Sequence, residues 1–213
     1  MLKVISFDLD GTLLDKERFD NVFWFEEVPR LYSRKNKISL EKAKKFVYGE
    51  YHKVGNKRLD WYFPSYWFRH FKLKEDHRAV MRDMKHRIKL LPEVKKVLKK
   101  LSKKYRLIVV TTSTHEMNEL KLETEGLRDY FSKIFSVTSD FKMIKKNPNV
   151  FLKIIKKLKI KKNEIVHIGD DYEDDYITPR KAGIKAILID RKNRHKGKFI
   201  INTLKKLENL INA

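Results

Sequence analysis

The chain has 213 residues, of which 41% are hydrophobic and 12% aromatic, enough for one large domain or for a core domain with a smaller insert. The lack of cysteine excludes disulfide frameworks, thiolate catalysis and cysteine-ligated metals. The aliphatic runs fall far short of the roughly 20 apolar residues that a membrane span needs, and the first residues lead directly into strand-like sequence without signal-peptide features. We therefore expect a soluble, cytoplasmic protein.

The balance of charge is strongly basic: 50 Lys and Arg against 28 Asp and Glu give a net charge of +22. Such an excess is typical of nucleic-acid-binding proteins, of enzymes that handle anions, or of an unusual cytosol. Here the lysines follow amphipathic helical patterns along the whole chain, which favours solvated helix faces over a nucleic-acid-binding stripe. High charge without Cys or Gln also resembles the composition of thermophilic proteins.

Apolar runs and amphipathic patterns divide the chain into elements. A strand is predicted at 4–7, followed by a helical stretch over 16–87. From residue 88 onward, helices and strands alternate, with helices at 93–104, 115–126, 149–159 and 202–212, and strands at 107–110, 134–137, 165–168 and 186–189. Short apolar strands separated by helices predict a parallel sheet covered on both faces.

Seven carboxylates outside the helical stretch form two clusters, and each cluster follows a predicted strand: Asp8, Asp10, Asp170, Asp171, Glu173, Asp174 and Asp175. Ligands of parallel sheets collect at the carboxyl ends of the strands, so both clusters would face one site. Crowded carboxylates raise one another's pKa unless a cation neutralises them, and Mg²⁺ is a natural partner. One Asp could then attack a phosphate ester while a neighbour transfers the proton, provided that a hydroxyl and a lysine lie nearby.

Four segments in order carry a family resemblance. Residues 8–13 (DLDGTL) are similar to a D-x-D-G-T-L motif, and 107–112 (LIVVTT) to a strand that ends in Ser/Thr-Asn. Residues 145–151 (KKNPNVF) are similar to K-P-x-P-x-x-F, and 167–175 (HIGDDYEDD) contain G-D-x4-D. The chain thus resembles the haloacid dehalogenase superfamily.

This resemblance implies an α/β fold, a Rossmann-like doubly wound parallel sheet core with a small α-helical cap domain. Residues 1–15 and 88–213 would form the catalytic core. Residues 16–87 would form the cap, which is inserted after the first motif. The resemblance also implies Mg²⁺ as the cofactor.

The resemblance assigns roles to the carboxylates. Asp8 would be the nucleophile, and Asp10 the general acid and base, with its backbone carbonyl also touching the metal. Asp170 would complete the Mg²⁺ site formed with these two residues. Asp175 would lie behind the ligands and orient a metal-bound water or the lysine, and Asp171 would lie beside it, with a direct or water-mediated metal contact left open.

The phosphate-binding residues depart from the family pattern at two positions. Thr111 would donate its hydroxyl to a phosphoryl oxygen, but Thr112 stands where Asn is usual. Lys145 would neutralise the nucleophile and the phosphate, but Lys146 stands where Pro is usual. Lys146 therefore remains an alternative for the catalytic lysine. The spacing to Pro148 favours Lys145.

The superfamily includes several reactions, and Asp10 discriminates between two of them. Its dehalogenases differ at this position because a halide leaves without a proton, whereas the alkoxide of a phosphate ester needs one. We therefore expect a Mg²⁺-dependent phosphatase of a small phosphorylated metabolite. A 2-haloacid dehalogenase-type hydrolase remains an alternative. So does a nucleic-acid-binding protein or polynucleotide-end phosphatase. The oligomeric state stays open.

Three other features have structural interpretations. His167 lies within an apolar strand, which is typical of a core residue or of a residue that supports the site. The aromatic stretch 61–68 (WYFPSYWF) is expected to form the core of the cap and to contribute a wall of the leaving-group pocket. Arg18, Phe19 and Trp24 are weaker candidates for the hinge between core and cap and for the pocket.

Overall fold

A six-stranded sheet lies at the centre of the protein, whose computed structural model describes residues 1–211. All strands are parallel, in the order β3-β2-β1-β4-β5-β6. The strands are β1 Val4–Phe7, β2 Arg106–Thr111, β3 Phe131–Ser136, β4 Ile165–Gly169, β5 Lys185–Ile189 and β6 Ile200–Ile201. The predicted doubly wound α/β fold is confirmed.

The segment between β1 and the rest of the sheet is helical, as predicted. Its α-helices are α1 Asp20–Val22, α2 Val28–Asn36, α3 Leu40–Val54, α4 Pro64–His70 and α5 His77–Asp83, and a π-helical stretch, Phe23–Glu27, joins the first two. The two ends of this segment lie side by side, and the Asp15 N–H donates to the Lys89 carbonyl at 2.9 Å. We call residues 16–87 the insert. Its connectivity is the one that the expected cap requires.

Residues 88–211, the rest of the chain that the structure describes, contain six α-helices: α6 Val94–Leu101, α7 His115–Thr124, α8 Val137–Phe141, α9 Pro148–Leu158, α10 Thr178–Lys181 and α11 Leu207–Ile211. Side chains alternate across the sheet. Ile5 and Val109 join a hydrophobic cluster that continues into the insert, and Val4 and Ile108 join a second cluster with α9. Both faces of the sheet are therefore covered, which explains why its strands are apolar without alternation.

Some boundaries differ from the predictions. β3 begins at Phe131 rather than at residue 134, and it ends at Ser136 because α8 begins at the next residue. β6 is only two residues long and has no detectable sequence pattern. The helix predicted at 202–212 consists of a 3-10 turn, Leu204–Lys206, followed by α11, and residue 212 lies outside the described residues. Within 1–211, no helix has the length and apolar character needed to cross a bilayer.

Candidate active site

Asp8 follows β1 at the point where the strand order reverses, between β2 and β4. Open parallel sheets bind ligands at this position. The Asp8 N–H donates to the Ile168 carbonyl at 2.8 Å, which fixes the backbone, and the side chain is buried. Burial raises the pKa of the Asp8 carboxyl well above its ordinary value; Lys146 opposes this increase, and Asp175 and Asp170 add to it. Its charged form therefore depends on cations nearby.

Lys146 supplies one of these cations. Its buried Nζ lies 2.5 Å from Asp8 Oδ1 and also hydrogen-bonds to Asp175. Although burial opposes its charge, Asp175 and Asp8 hold the pKa of Lys146 above its usual range. Lys145 is exposed, so the prediction that Lys145 neutralises Asp8 is wrong in register by one residue. The reason is local: the Asn147 side chain caps α9, and the residue directly before the cap turns inward.

Asp175 braces this lysine. Its Oδ1 accepts from His167 Nε2 at 3.0 Å, and its Oδ2 accepts from the Asp171 N–H at 3.0 Å. Because Nε2 donates to the carboxylate, His167 Nδ1 accepts from the Ser6 hydroxyl at 2.8 Å. Burial acts against the charged form of Asp175, but Lys146 and His167 outweigh it and hold the pKa of Asp175 below its usual value. Asp175 thus remains ionised and orients Lys146.

Asp170 follows β4 and approaches the same place from the neighbouring strand. Its Oδ1 accepts from the Thr12 hydroxyl at 3.2 Å and its Oδ2 from Lys16 Nζ at 3.0 Å. Gly11 passes so close, with φ +92°, that a Cβ there would lie 2.3 Å from Asp170 Oδ2. Burial raises the pKa of Asp170, with Lys16 opposing. Glycine is therefore required for the first-motif loop to fold against this carboxylate.

Three carboxylates could hold a metal ion: oxygens of Asp8, Asp170 and Asp175 lie within 4.8 Å of one another. Hard oxygen donors with raised pKa values, such as Asp8 and Asp170, suit Mg²⁺ because the ion would relieve their repulsion. Asp175 already accepts hydrogen bonds from the buried Lys146 and His167, whereas the charged partner of Asp170 is the exposed Lys16, so Asp8 and Asp170 are the better ligands. The carboxylate of Asp171 is exposed and caps the next turn by accepting from the Asp174 N–H at 2.8 Å, so it does not join the group.

The side chain of Asp10 belongs to a second cluster. Lys121 of α7 donates from Nζ to Asp10 Oδ1 at 2.7 Å and to both carboxylate oxygens of Asp20 at 2.8 Å. Asp20 lies on α1 of the insert, and Lys121 is only 1% exposed. Burial and the nearby Asp10 raise the pKa of Asp20 to about 7, against the opposing effect of Lys121.

The two threonines of the second motif differ in surroundings. Thr111 is the last residue of β2, and its buried hydroxyl accepts from the Ser113 N–H at 3.3 Å. Thr112 is half-buried, and its carbonyl accepts from the Thr138 hydroxyl at 2.9 Å. β2 pairs with β1, so both threonines lie at the edge of the sheet where Asp8 lies.

A cavity of about 150 Å³ lies between insert and core, lined by Asp10, Asp20, Trp24, Trp61, Tyr62, Thr112, Ser113 and Met117. Trp24 and Trp61 form part of its wall, with ring centroids 6.3 Å apart and planes at 27°. From the same aromatic stretch, Trp67 and Phe68 are buried in the core of the insert, whereas Trp61 and Tyr62 line the cavity. Arg18 is exposed and does not line the cavity.

Lys121 and Asp20 are the residues of this region that the sequence motifs did not indicate. A signal was nevertheless present. Lys121 falls on the same helical face as Met117, Asn118 and Leu122, all of which are buried. A lysine on an otherwise buried face requires carboxylate partners, because an unpaired buried charge is costly.

Known proteins resemble this chain in sequence and in fold. The family model for haloacid dehalogenase-like hydrolases matches residues 5–189. The GMP/IMP nucleotidase YrfG of Escherichia coli is 32% identical over 133 residues, which are 62% of this chain and 58% of the nucleotidase. The alignment thus spans little more than half of that relative's length.

Two solved structures resemble the whole chain. A haloacid dehalogenase-type (HAD) phosphatase from Thermococcus onnurineus has a TM-score of 0.82 and 29% identity, over 99% of this chain and 98% of that one. A 2-haloacid dehalogenase from Pseudomonas syringae pv. Tomato has a TM-score of 0.73 and 21% identity, over 100% of this chain and 99% of that one. The second likeness is one of fold alone.

Proposed function

The chain is a haloacid dehalogenase-like hydrolase, and from this premise we propose that it hydrolyses phosphomonoesters through an aspartyl-phosphate on Asp8. The observation that carries the proposal is the pair of aspartates two residues apart in different surroundings. Asp8 is buried against Lys146 at 2.5 Å, as suits a nucleophile beside an anionic phosphate. Asp10 lines the cavity that a leaving group would occupy.

In the proposed mechanism, residues of this site perform each step of the hydrolysis. An Asp8 oxygen attacks phosphorus, and the bond from phosphorus to the ester oxygen breaks. Asp10 gives its proton to that oxygen as the alcohol leaves, and then takes a proton from the water that attacks the aspartyl-phosphate. Phosphate leaves, and Asp8 is regenerated. Lys146 neutralises charge on the equatorial oxygens, and the Thr111 hydroxyl donates to one of them.

Mg²⁺ fits this site, with Asp8 and Asp170 as side-chain ligands and the Asp10 carbonyl as a third proposed contact. When bound, the ion supplies charge neutralisation between the carboxylates and the phosphate. The proposal that Asp170 is a ligand is supported by its position: it faces Asp8 across neighbouring strands, and Gly11 leaves room for its carboxylate.

Asp10 favours a phosphatase over a dehalogenase. Displacement of a halide needs no proton donor, so a carboxylate held by a buried lysine beside the leaving-group cavity would have no function in that reaction. The similarity to a dehalogenase structure does not oppose this conclusion, since it concerns the fold.

We propose nucleoside monophosphates as the first class of substrate to test. The relative named as a GMP/IMP nucleotidase motivates this choice. The cavity supports it, because Trp24, Trp61 and Tyr62 offer aromatic faces on which a planar base can stack. The net charge of +22 would attract any such anion.

Phosphate release tests the proposed function. A panel of nucleoside monophosphates, sugar phosphates, phosphoglycolate and p-nitrophenyl phosphate is assayed with Mg²⁺ and with EDTA. We expect Mg²⁺-dependent release, fastest with a purine nucleotide. Asp8→Asn should abolish it, whereas Asp15→Asn, on the same loop but paired with exposed Arg18, should retain most of it.

Two outcomes would contradict the proposal. Chloride release from a 2-haloacid without phosphate release would support the dehalogenase alternative instead. Salt-sensitive retention on single-stranded nucleic acid, with no turnover of any small ester, would support the nucleic-acid alternative. Phosphate release from sugar phosphates alone would support a phosphatase but contradict the choice of nucleoside monophosphates as its substrates.

A further inference from the structure

Lys121 is a buried cation without a place in the chemistry described above. It is 1% exposed, and its Nζ also lies 5.6 Å from the centroid of the buried Phe19 ring. Burying an ammonium group costs several kcal/mol unless good partners are present. A lysine in this position therefore requires a reason beyond solubility or a surface ion pair.

The hydrogen bonds of Lys121 join three parts of the molecule. The residue itself belongs to α7, Asp10 belongs to the loop after β1, and Asp20 belongs to the insert. One hydrogen bond goes to Asp10 Oδ1 at 2.7 Å, and contacts of 2.8 Å reach both oxygens of Asp20. The ammonium group thus hydrogen-bonds to one carboxylate oxygen of Asp10, Oδ1, and to both carboxylate oxygens of Asp20.

We propose that Lys121 and Asp20 are a positioning pair that orients the Asp10 carboxylate toward the leaving-group cavity and makes that orientation depend on the placement of the insert. Both aspartates line the cavity, so a substrate held there would lie against the oriented carboxylate. The inference rests on the proposed function, in which Asp10 transfers the proton. Lys121 acts through Asp10 and does not itself touch the reacting atoms.

An ion pair that only joins the core to the insert would not need a buried lysine in contact with Asp10. α7 already forms such an ion pair with the insert: Glu116 accepts from His77 Nε2 at 3.1 Å and from Arg78 Nε at 3.2 Å, and both of these residues belong to α5. His77 and Arg78 are more exposed than Lys121, and in the part of the chain that the structure describes Glu116 has no contact with Asp10. Glu116 therefore provides a matched control for loss of an ion pair between α7 and the insert.

The test compares two leaving groups in the first turnover. Release of a nucleoside from its monophosphate needs a proton, whereas p-nitrophenolate leaves without one. We expect Lys121→Met to slow first-turnover release of the nucleoside by about 30-fold or more and that of p-nitrophenolate by about 3-fold at most, since general acid catalysis contributes about 100-fold or more. Asp20→Asn should act in the same direction with a smaller loss, and Glu116→Gln should slow both releases equally or not at all.

A double-variant cycle separates positioning from a structural role. If Lys121 acts through Asp10, adding Lys121→Met to Asp10→Asn should change the ratio of the two release rates by less than about 2-fold. Thermal unfolding shows whether each variant is folded. If Lys121→Met does not fold, Lys121→Arg and Asp20→Asn are compared with the wild type in the same assay.

The outcomes are distinct. Equal slowing of both leaving groups in folded Lys121 and Asp20 variants, or losses that multiply in the double variant, would overturn the positioning role while the phosphatase remains. A wild type that releases neither alcohol would overturn the proposed function, and the positioning role with it.

Discussion

Two buried lysines each bind two aspartates, and the origin of those aspartates differs. The cluster around Lys146 takes Asp8, which follows β1, and Asp175, which lies in the helical stretch after β4, so both come from the core. The cluster around Lys121 joins Asp10 of the core to Asp20 of the insert. The proposed nucleophile is therefore held by the core alone, whereas the proposed acid is held by a cluster that is complete only when the insert is in place.

This difference has a consequence for catalysis. A nucleophile held by the core is preorganised whether or not substrate is present. A proton donor that depends on the insert becomes oriented only when the cavity above it is formed, which would link proton transfer to enclosure of the leaving group. Substitutions in the two clusters should therefore have separable effects.

The largest effect is expected from the lysine of the core cluster. Lys146→Ala should lower kcat by about 1,000-fold, because it removes the charge beside Asp8, and should lower the free energy of unfolding by about 3–5 kcal/mol. Lys145→Ala is the matched control, since its exposed side chain should leave kcat within about 2-fold. Steady-state kinetics and chemical denaturation measure both. Greater loss in Lys145→Ala would reverse the register found here.

The next largest effect is expected on metal binding, which should depend on the core carboxylates and not on the cluster around Lys121. Saturating Mg²⁺ should raise the Tm of the wild type by about 5–10 °C, because a ligand at 100 times its Kd adds about 2.7 kcal/mol. Asp170→Asn should lose most of this increase, and Asp20→Asn should keep it. Differential scanning fluorimetry with and without EDTA measures the shift. An undiminished shift in Asp170→Asn would remove Asp170 from the metal site.

The smallest effect concerns His167, which braces the core cluster. Burial lowers the pKa of His167, against the attraction of Asp175. Below about pH 6.5 the unfolded chain therefore binds the proton more readily than the folded one, so stability falls as pH decreases from 7 to 5. His167→Gln should reduce this loss, because the variant has no imidazole to protonate. Equal pH dependence of the free energy of unfolding in both proteins would contradict it.

Much of the fold could be predicted from the sequence because its signals are local. Buried parallel strands appear as short aliphatic runs, and the apolar faces of α6 and α9 repeat at helical spacing. The pairing of β6 could not be predicted, since two residues carry no pattern. The start of β3 was missed because exposed Ser132 and Lys133 interrupt its apolar run.

The motifs located the carboxylates at the sheet edge but not every contact. Two adjacent lysines cannot be distinguished by spacing, because the direction of each side chain depends on the turn before the capped helix that follows Asn147. Lys121 and Asp20 are far apart in sequence and become neighbours only when the insert packs on the core. Such a contact depends on tertiary structure and leaves only an indirect trace, a lysine on a buried helix face.

Trapping an aspartyl-phosphate would decide whether Asp8 carries the phosphoryl group. The enzyme is mixed with its best substrate and Mg²⁺, quenched in acid and reduced with borohydride, which converts an aspartyl-phosphate to homoserine. Peptide mass spectrometry then locates the change. We expect homoserine at position 8 in the wild type and none in Asp8→Asn. Homoserine at another aspartate, or none at any position in an enzyme that accumulates its intermediate during turnover, would show that Asp8 does not carry the phosphoryl group.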